Sequence, residues 1–174
     1  MSLEQIATSM QSTSLSEALK DISWLVPALQ SIHILMVGVV FVSMLAIALR
    51  VLGLMRAEMP LPQVWTRFAP FFWTGLAVMA LTGALLTIAE PVRELMTLSF
   101  RIKVVLLAIG IASAAAFGRG VRVAAAPASG GLRVAVLATV ALWLAIILLG
   151  RAIAYDTSVW GGWSPVKSLG GAAT

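Results

Sequence analysis

The chain contains no cysteine, and only 11% of its 174 residues are charged. The absence of cysteine excludes disulfide bonds, thiolate metal sites, covalent c-type haem and cysteine nucleophiles. The charged fraction is less than half of the roughly 25% that is usual for a soluble domain, and the mean hydropathy is +1.01. These values exclude a water-soluble globular fold and predict an integral membrane protein.

Histidine is almost as scarce as cysteine, because His33 is the only one in the chain. No stretch of the sequence matches a catalytic triad, a paired-carboxylate site, a phosphate-binding loop or a histidine-rich metal motif. The sequence therefore offers no support for an independent hydrolase or kinase, and we expect a protein that is not an enzyme.

Long apolar runs are abundant. A helix needs ~20 apolar residues to cross a hydrocarbon core of ~30 Å. Four windows come close to this length or exceed it, and they predict transmembrane helices at 24–49, 68–89, 100–118 and 134–154. The connections between these windows are too short for a second domain, so the sequence predicts an all-α, four-helix membrane bundle.

The predicted bundle covers 22–155, between an amphipathic N-terminal segment at 1–21 and a C-terminal tail at 156–174. In the N-terminal segment, Ser14 and Glu17 have the spacing of a capping box, which predicts a short helix lying on the membrane surface. We also predict that the connection between the first two spans extends from Met55 to Arg67.

The third span carries two further signals. Its clean apolar run, 104–117, is too short to cross the membrane, so Arg101 and Lys103 are drawn into the interface. Small residues recur every four positions at Gly110, Ala114 and Gly118. Such a stripe predicts close approach of a neighbouring helix backbone.

Charge and surface patterns bear on orientation and assembly. Basic residues divide evenly between the two membrane faces, but Arg101, Lys103 and Arg151 lie within helix ends and are expected to be paired. The loop residues on the opposite face then decide the orientation. We predict a multi-pass protein of a bacterial inner membrane with both termini on the non-cytoplasmic side, surrounded by lipid and forming a homo-oligomer or a subunit of a larger complex, with no affinity for nucleic acid.

His33 lies nine residues after Trp24, or ~13 Å into the membrane by helical rise, so its imidazole requires a partner. Gln30 and Met44 share its helix face, and Met36 lies beside it. Antiparallel crossings bring the ends of the other spans to the same membrane face. The expected polar cluster around His33 comprises Gln30, Glu90, Arg93, Arg101, Lys103, Arg151 and Asp156.

A neutral imidazole in an apolar helical bundle is the usual axial ligand of b-type haem, and cations at the interface can neutralise the haem propionates. We therefore predict a haem- or metal-binding role for His33, with a sixth ligand supplied by methionine or by a second copy of the chain, or with that position open. The candidate cofactor-binding residues are His33, Met36, Met44, Arg101, Lys103 and Arg151.

Other functions remain open at this level. His33 with methionine thioethers suits Cu(I), and His33 with Glu90 suits a proton relay. In a structural or assembly subunit, His33 would only hydrogen-bond a neighbouring polar group and fix the packing. The candidate partners are Gln30, Thr74, Thr82 and Ser113. A small transporter is a further alternative.

Five segments carry a resemblance to known proteins: 30–35, 49–54, 89–93, 100–103 and 150–155. As a set they resemble a family of small four-helix bacterial inner-membrane proteins that is classified as a domain of unknown function. The resemblance implies the fold and the membrane, and no activity. More distantly, a histidine early in the first helix is similar to copper-resistance D-type membrane domains and cytochrome b-type bundles, which implies a metal or haem ligand.

Overall fold

The computed structural model describes residues 2–123 and 130–166, and these ranges are helical without any strand. The helices are α1 (Leu3–Gln11), α2 (Ser14–Asp21), α3 (Leu25–Val51), α4 (Leu61–Ala89), α5 (Pro91–Leu95), α6 (Leu98–Val123), α7 (Gly130–Ala152) and α8 (Asp156–Trp160). Of these, α3, α4, α6 and the helix that starts with α7 are long and apolar enough to cross a membrane. The predicted all-α membrane bundle is confirmed.

The N-terminal segment forms two helices instead of one. Ser2 caps α1 in a capping box with Gln5, and the hydroxyl of Thr13 caps α2 by accepting a hydrogen bond from the Ser16 amide. The predicted capping box at Ser14 is therefore wrong, because the preceding threonine already supplies the side-chain acceptor that a helix start requires.

Both short helices pack onto one end of the bundle. Ala7 of α1 is fully buried, and Ser16 of α2 donates a hydrogen bond to the carbonyl of Ala89 at the end of α4. Their other faces expose Leu3, Ile6 and Leu15. An amphipathic helix with such an exposed apolar face is typical of the membrane interface.

The second span begins at Leu61 and not at 68, so the predicted loop is shorter than expected. Pro60 precedes α4 and Pro62 lies in its first turn, where the missing amide hydrogen is not needed by the helix. The prolines that suggested a loop therefore start the helix. Residues 124–129 lie outside the described residues, and α7 begins at Gly130.

The four long helices are arranged in two antiparallel pairs. Helix α3 packs extensively against α4, α6 packs against α7, and α3 also contacts α7. The main core lies between them and includes Val40, Met44 and Phe72, with Trp143 from α7. The rings of Phe72 and Trp143 meet edge to face at 5.4 Å.

The small residues of α6 pack against indole rings. A Cβ on Gly110 would lie 3.4 Å from the ring of Trp143, and one on Gly118 would lie only 2.9 Å from Cε2 of Trp65. The predicted close approach of a neighbouring helix backbone is therefore wrong at these two glycines. The missing Cβ atoms leave shallow hollows, and flat aromatic rings fill them.

The N-terminus of α6 is held by a residue distant in sequence. The carboxylate of Asp156 accepts hydrogen bonds from the amides of Leu98 and Ser99 and from the hydroxyls of Ser99 and Ser164. Asp156 is only 4% exposed. Asp156 therefore caps α6, although it lies 58 residues after Leu98 in the sequence. The same hydrogen bonds fix α8 against the start of α6.

Candidate functional site

A cavity with two lobes lies at the end of the bundle where α4 meets α5. The polar lobe has a volume of about 220 Å³ and the apolar lobe about 320 Å³. His33, Ile34, Lys103, Gly150 and Arg151 line both lobes, so the two volumes join at these residues. A drug-sized or cofactor-sized ligand needs roughly 300 Å³ or more.

The two lobes differ in chemistry. The polar lobe is lined in addition by Gln30, Gly83, Thr87, Glu90, Arg93 and Glu94, together with the apolar residues Leu86, Phe100, Ile153 and Ala154. The apolar lobe extends into the bundle and is lined in addition by Val37, Val40, Met79, Trp143, Ile146 and Ile147. Ile34, which lines both lobes, is 69% exposed in the bundle. This arrangement suits a ligand with an apolar body and a charged edge.

His33 forms a side-chain hydrogen bond with the neighbouring helix. Its Nδ1 lies 3.0 Å from the hydroxyl oxygen of Thr82. That hydroxyl also lies within hydrogen-bond distance of the carbonyls of Val78 and Met79 in its own helix. When it donates its one hydrogen to either carbonyl, it accepts a hydrogen bond from Nδ1–H of His33, and in that tautomer Nε2 carries the lone pair.

The imidazole of His33 lines both lobes of the cavity. Besides Thr82, it lies close to the backbone of Met79. A Cβ on Gly83 would lie 3.2 Å from Cε1 of His33. Glycine at this position therefore leaves room for the ring.

Cations surround the junction of the lobes. Lys103 forms no ion pair and no hydrogen bond among the described residues, and its Nζ lies 3.3 Å from where a Cβ on Gly150 would stand. The guanidinium of Arg151 lies 5.5 Å from the centre of the Tyr155 ring. Arg93 forms an ion pair with Glu90. An unpaired ammonium group inside a membrane bundle is costly, which favours an anionic ligand beside Lys103.

Glu94 is the other carboxylate of the polar lobe, and it lies in α5 outside the four spans. Burial raises its pKa, and the nearby charge of Glu90 raises it as well, whereas Lys103 and Arg93 oppose the increase. Glu94 therefore holds a proton more readily than an exposed glutamate does.

The structure brings most of the predicted site residues together: His33, Gln30, Glu90, Arg93, Lys103 and Arg151 all line the cavity. Four of the predicted residues, Met36, Met44, Arg101 and Asp156, do not line either lobe. The carboxylate of Asp156 caps α6 instead. Met36 packs on the main core and Met44 lies within it. Arg101 turns away and donates a hydrogen bond to the carbonyl of Leu95.

Several residues of the site were not predicted from the sequence. Met79 and Trp143 line the apolar lobe, and Glu94 and Thr87 line the polar lobe. The one available signal was spacing, because Glu94 follows Glu90 by four residues across the proline that starts α5. Met79 and Trp143 resemble ordinary core residues in sequence, and only the packing of the four spans brings them to His33.

In the described ranges, no group of three or more His, Asp or Glu side chains is arranged to hold a metal ion. Neither protein-family models nor curated proteins nor solved structures show a significant match to this chain. The resemblance drawn from the sequence stays a prediction, and the function must be argued from the site.

Proposed function

We propose that this protein binds b-type haem at His33 and serves as a non-enzymatic electron-transfer subunit in the membrane. The observation that carries the proposal is the arrangement of the imidazole. Its Nδ1 lies 3.0 Å from the hydroxyl of Thr82, and its ring lines both lobes of the cavity. Metal-ligating histidines usually donate their second ring N–H to such an acceptor, which orients the ring and raises its basicity.

The other residues fit the same group. Haem supplies one-electron redox chemistry when it is bound. The apolar lobe offers a lining for its macrocycle, and Lys103 and Arg151 line both lobes and can pair with its carboxylates. Met79 shares the apolar lobe with His33. It would therefore replace Met36 and Met44 as the methionine that could supply a second ligand, which a second copy of the chain would otherwise provide.

The first experiment is a reduced-minus-oxidised absorption spectrum of the protein, purified in mild detergent from a haem-replete host. We expect a b-type spectrum with about one haem per chain or per dimer, and its complete loss in His33→Ala. Thr82→Val removes the acceptor for Nδ1–H and should weaken haem retention about 10- to 100-fold. Thr82→Ser keeps a hydroxyl and should preserve the spectrum.

Ser43→Ala is the matched control, because Ser43 is a buried polar residue of α3 whose hydroxyl donates a hydrogen bond to the carbonyl of Val39 in its own helix. It should retain haem. A colourless, metal-free wild-type protein would reject the haem proposal. It would favour a structural or assembly subunit, in which the His33–Thr82 hydrogen bond only fixes α3 against α4.

We further propose that the protein resides in a bacterial inner membrane as a homo-oligomer or complex subunit, with both termini outside the cytoplasm. The support is the number of basic residues at the membrane face opposite the cavity, where Arg56 lies in the loop after α3, Arg67 near the start of α4 and Arg119 near the end of α6. Reporter fusions to each terminus should give a non-cytoplasmic signal. A cytoplasmic signal from both fusions would reverse the orientation.

A further inference from the structure

Glu94 occupies a particular position in the polar lobe. It is half-buried, it lines the same lobe as His33 and Lys103, and it forms no ion pair in the part of the chain that the structure describes. Its neighbour Glu90 is paired with Arg93. The charge of Glu90 is therefore neutralised by an ion pair. The carboxylate of Glu94 has no such pair among the described residues, so its protonation is more sensitive to the net charge of the site.

We propose that Glu94 takes up a proton when the site accepts an electron, so that the protein couples electron transfer to protonation. This inference rests on the proposed haem site. A one-electron donor loses an electron and the site gains it. The Glu94 carboxylate then binds one proton from the aqueous face and becomes a carboxylic acid. Oxidation of the site releases the same electron and the same proton.

The physical reason is electrostatic. An added negative charge in a cavity of low polarity raises the proton affinity of nearby acids. Burial already raises the pKa of Glu94, and an added negative charge at the site changes this pKa in the same direction. Water reaches the lobe at its outer end, because the side chains of Glu90 and Arg93 are 34% and 48% exposed.

The other ionisable groups that line the lobe beside Glu94 are His33 of α3, Arg93 of α5, Lys103 of α6 and Arg151 of α7, with Glu90 just before α5. Lys103 opposes the protonation of Glu94, and Nε2 of His33 is the proposed ligand. Glu90 forms an ion pair with Arg93. Glu94 is therefore the carboxylate of the lobe that has no ion pair among the described residues, and the proton is assigned to it.

The test is a potentiometric titration of the haem-loaded protein at a series of pH values. For one proton per electron, the midpoint potential should fall as pH rises, by up to about 59 mV for each tenfold change in proton concentration. Glu94→Gln preserves the side-chain shape and should make the potential independent of pH. Glu17→Gln, on the exposed surface of α2, should keep the wild-type slope.

Redox-difference infrared spectroscopy of the wild type gives a second readout that does not depend on any variant. A carboxylic-acid carbonyl band should appear on reduction and be absent in Glu94→Gln. A wild-type potential that does not change with pH would overturn the inference, and so would loss of the slope in Glu90→Gln with its retention in Glu94→Gln. If no haem spectrum is found, the proposed function fails at that earlier step, and the coupling fails with it.

Discussion

Replacing Asp156 with alanine should lower the free energy of unfolding by about 3 kcal/mol or more. The buried carboxylate accepts hydrogen bonds from two backbone amides and two hydroxyls. The hydroxyls can turn to other acceptors, but the amides of Leu98 and Ser99 cannot. Leaving a buried donor without a partner costs roughly 1–3 kcal/mol, and two such donors give the expected loss.

The measurement is unfolding in mixed micelles of mild and denaturing detergent, followed by helical circular dichroism. Asp156→Asn should have an intermediate effect, because one carboxylate oxygen is kept and the new amide group faces at least one donor. Asp21→Ala removes an exposed aspartate at the end of α2 and should change stability by less than about 0.5 kcal/mol. Equal stability of Asp156→Ala and wild type would mean that this cap contributes nothing to the fold.

Replacing Gly118 with alanine should destabilise the bundle by about 1–3 kcal/mol, although alanine is the better helix former. The added methyl group would overlap the indole ring of Trp65. The ring cannot move aside freely, because Trp65 is only 7% exposed and packs against Phe117 at a centroid distance of 5.6 Å. Overpacking of this kind forces side chains out of their preferred rotamers.

Gly120→Ala is the matched control on the same helix, because a Cβ there would meet no atom within 4 Å. It should be neutral, or stabilising by up to about 1 kcal/mol. Trp65→Leu should reduce the cost of Gly118→Ala, so that the double variant loses less stability than the sum of the single ones. If the stability losses of the two single variants add up fully in the double variant, measured by the same detergent unfolding assay, the Trp65 ring is not what makes alanine unfavourable at position 118.

The amino-acid sequence was sufficient to predict the four spans, because apolar length and low charge leave few alternatives in a membrane. The sequence was less informative about the residues at which helices begin and end. Pro60 and Pro62 were interpreted as a loop, although a proline fits equally well in the first turn of a helix. The choice depends on whether the following residues pack, and Val64 and Trp65 are both buried.

Part of the site was also predictable, because the order and direction of the spans follow from the sequence. Antiparallel spans bring helix ends to one membrane face, which placed Lys103, Arg151 and Glu90 near His33 without knowledge of any contact. The direction of each side chain was not predictable, because helix rotation depends on packing between helices. Arg101 and Lys103 are two residues apart, yet Lys103 lines the cavity and Arg101 bonds to the carbonyl of Leu95.

The sequence by itself determined that this chain is an all-α membrane protein with one histidine and a polar cluster at one face, because hydropathy, length and topology are properties of the chain. Only the tertiary structure decided which atoms meet. Thr82 engages Nδ1 of His33, Asp156 caps α6, and Trp65 fills the hollow at Gly118. These contacts join residues far apart in sequence, and they depend on how the helices rotate and pack against one another.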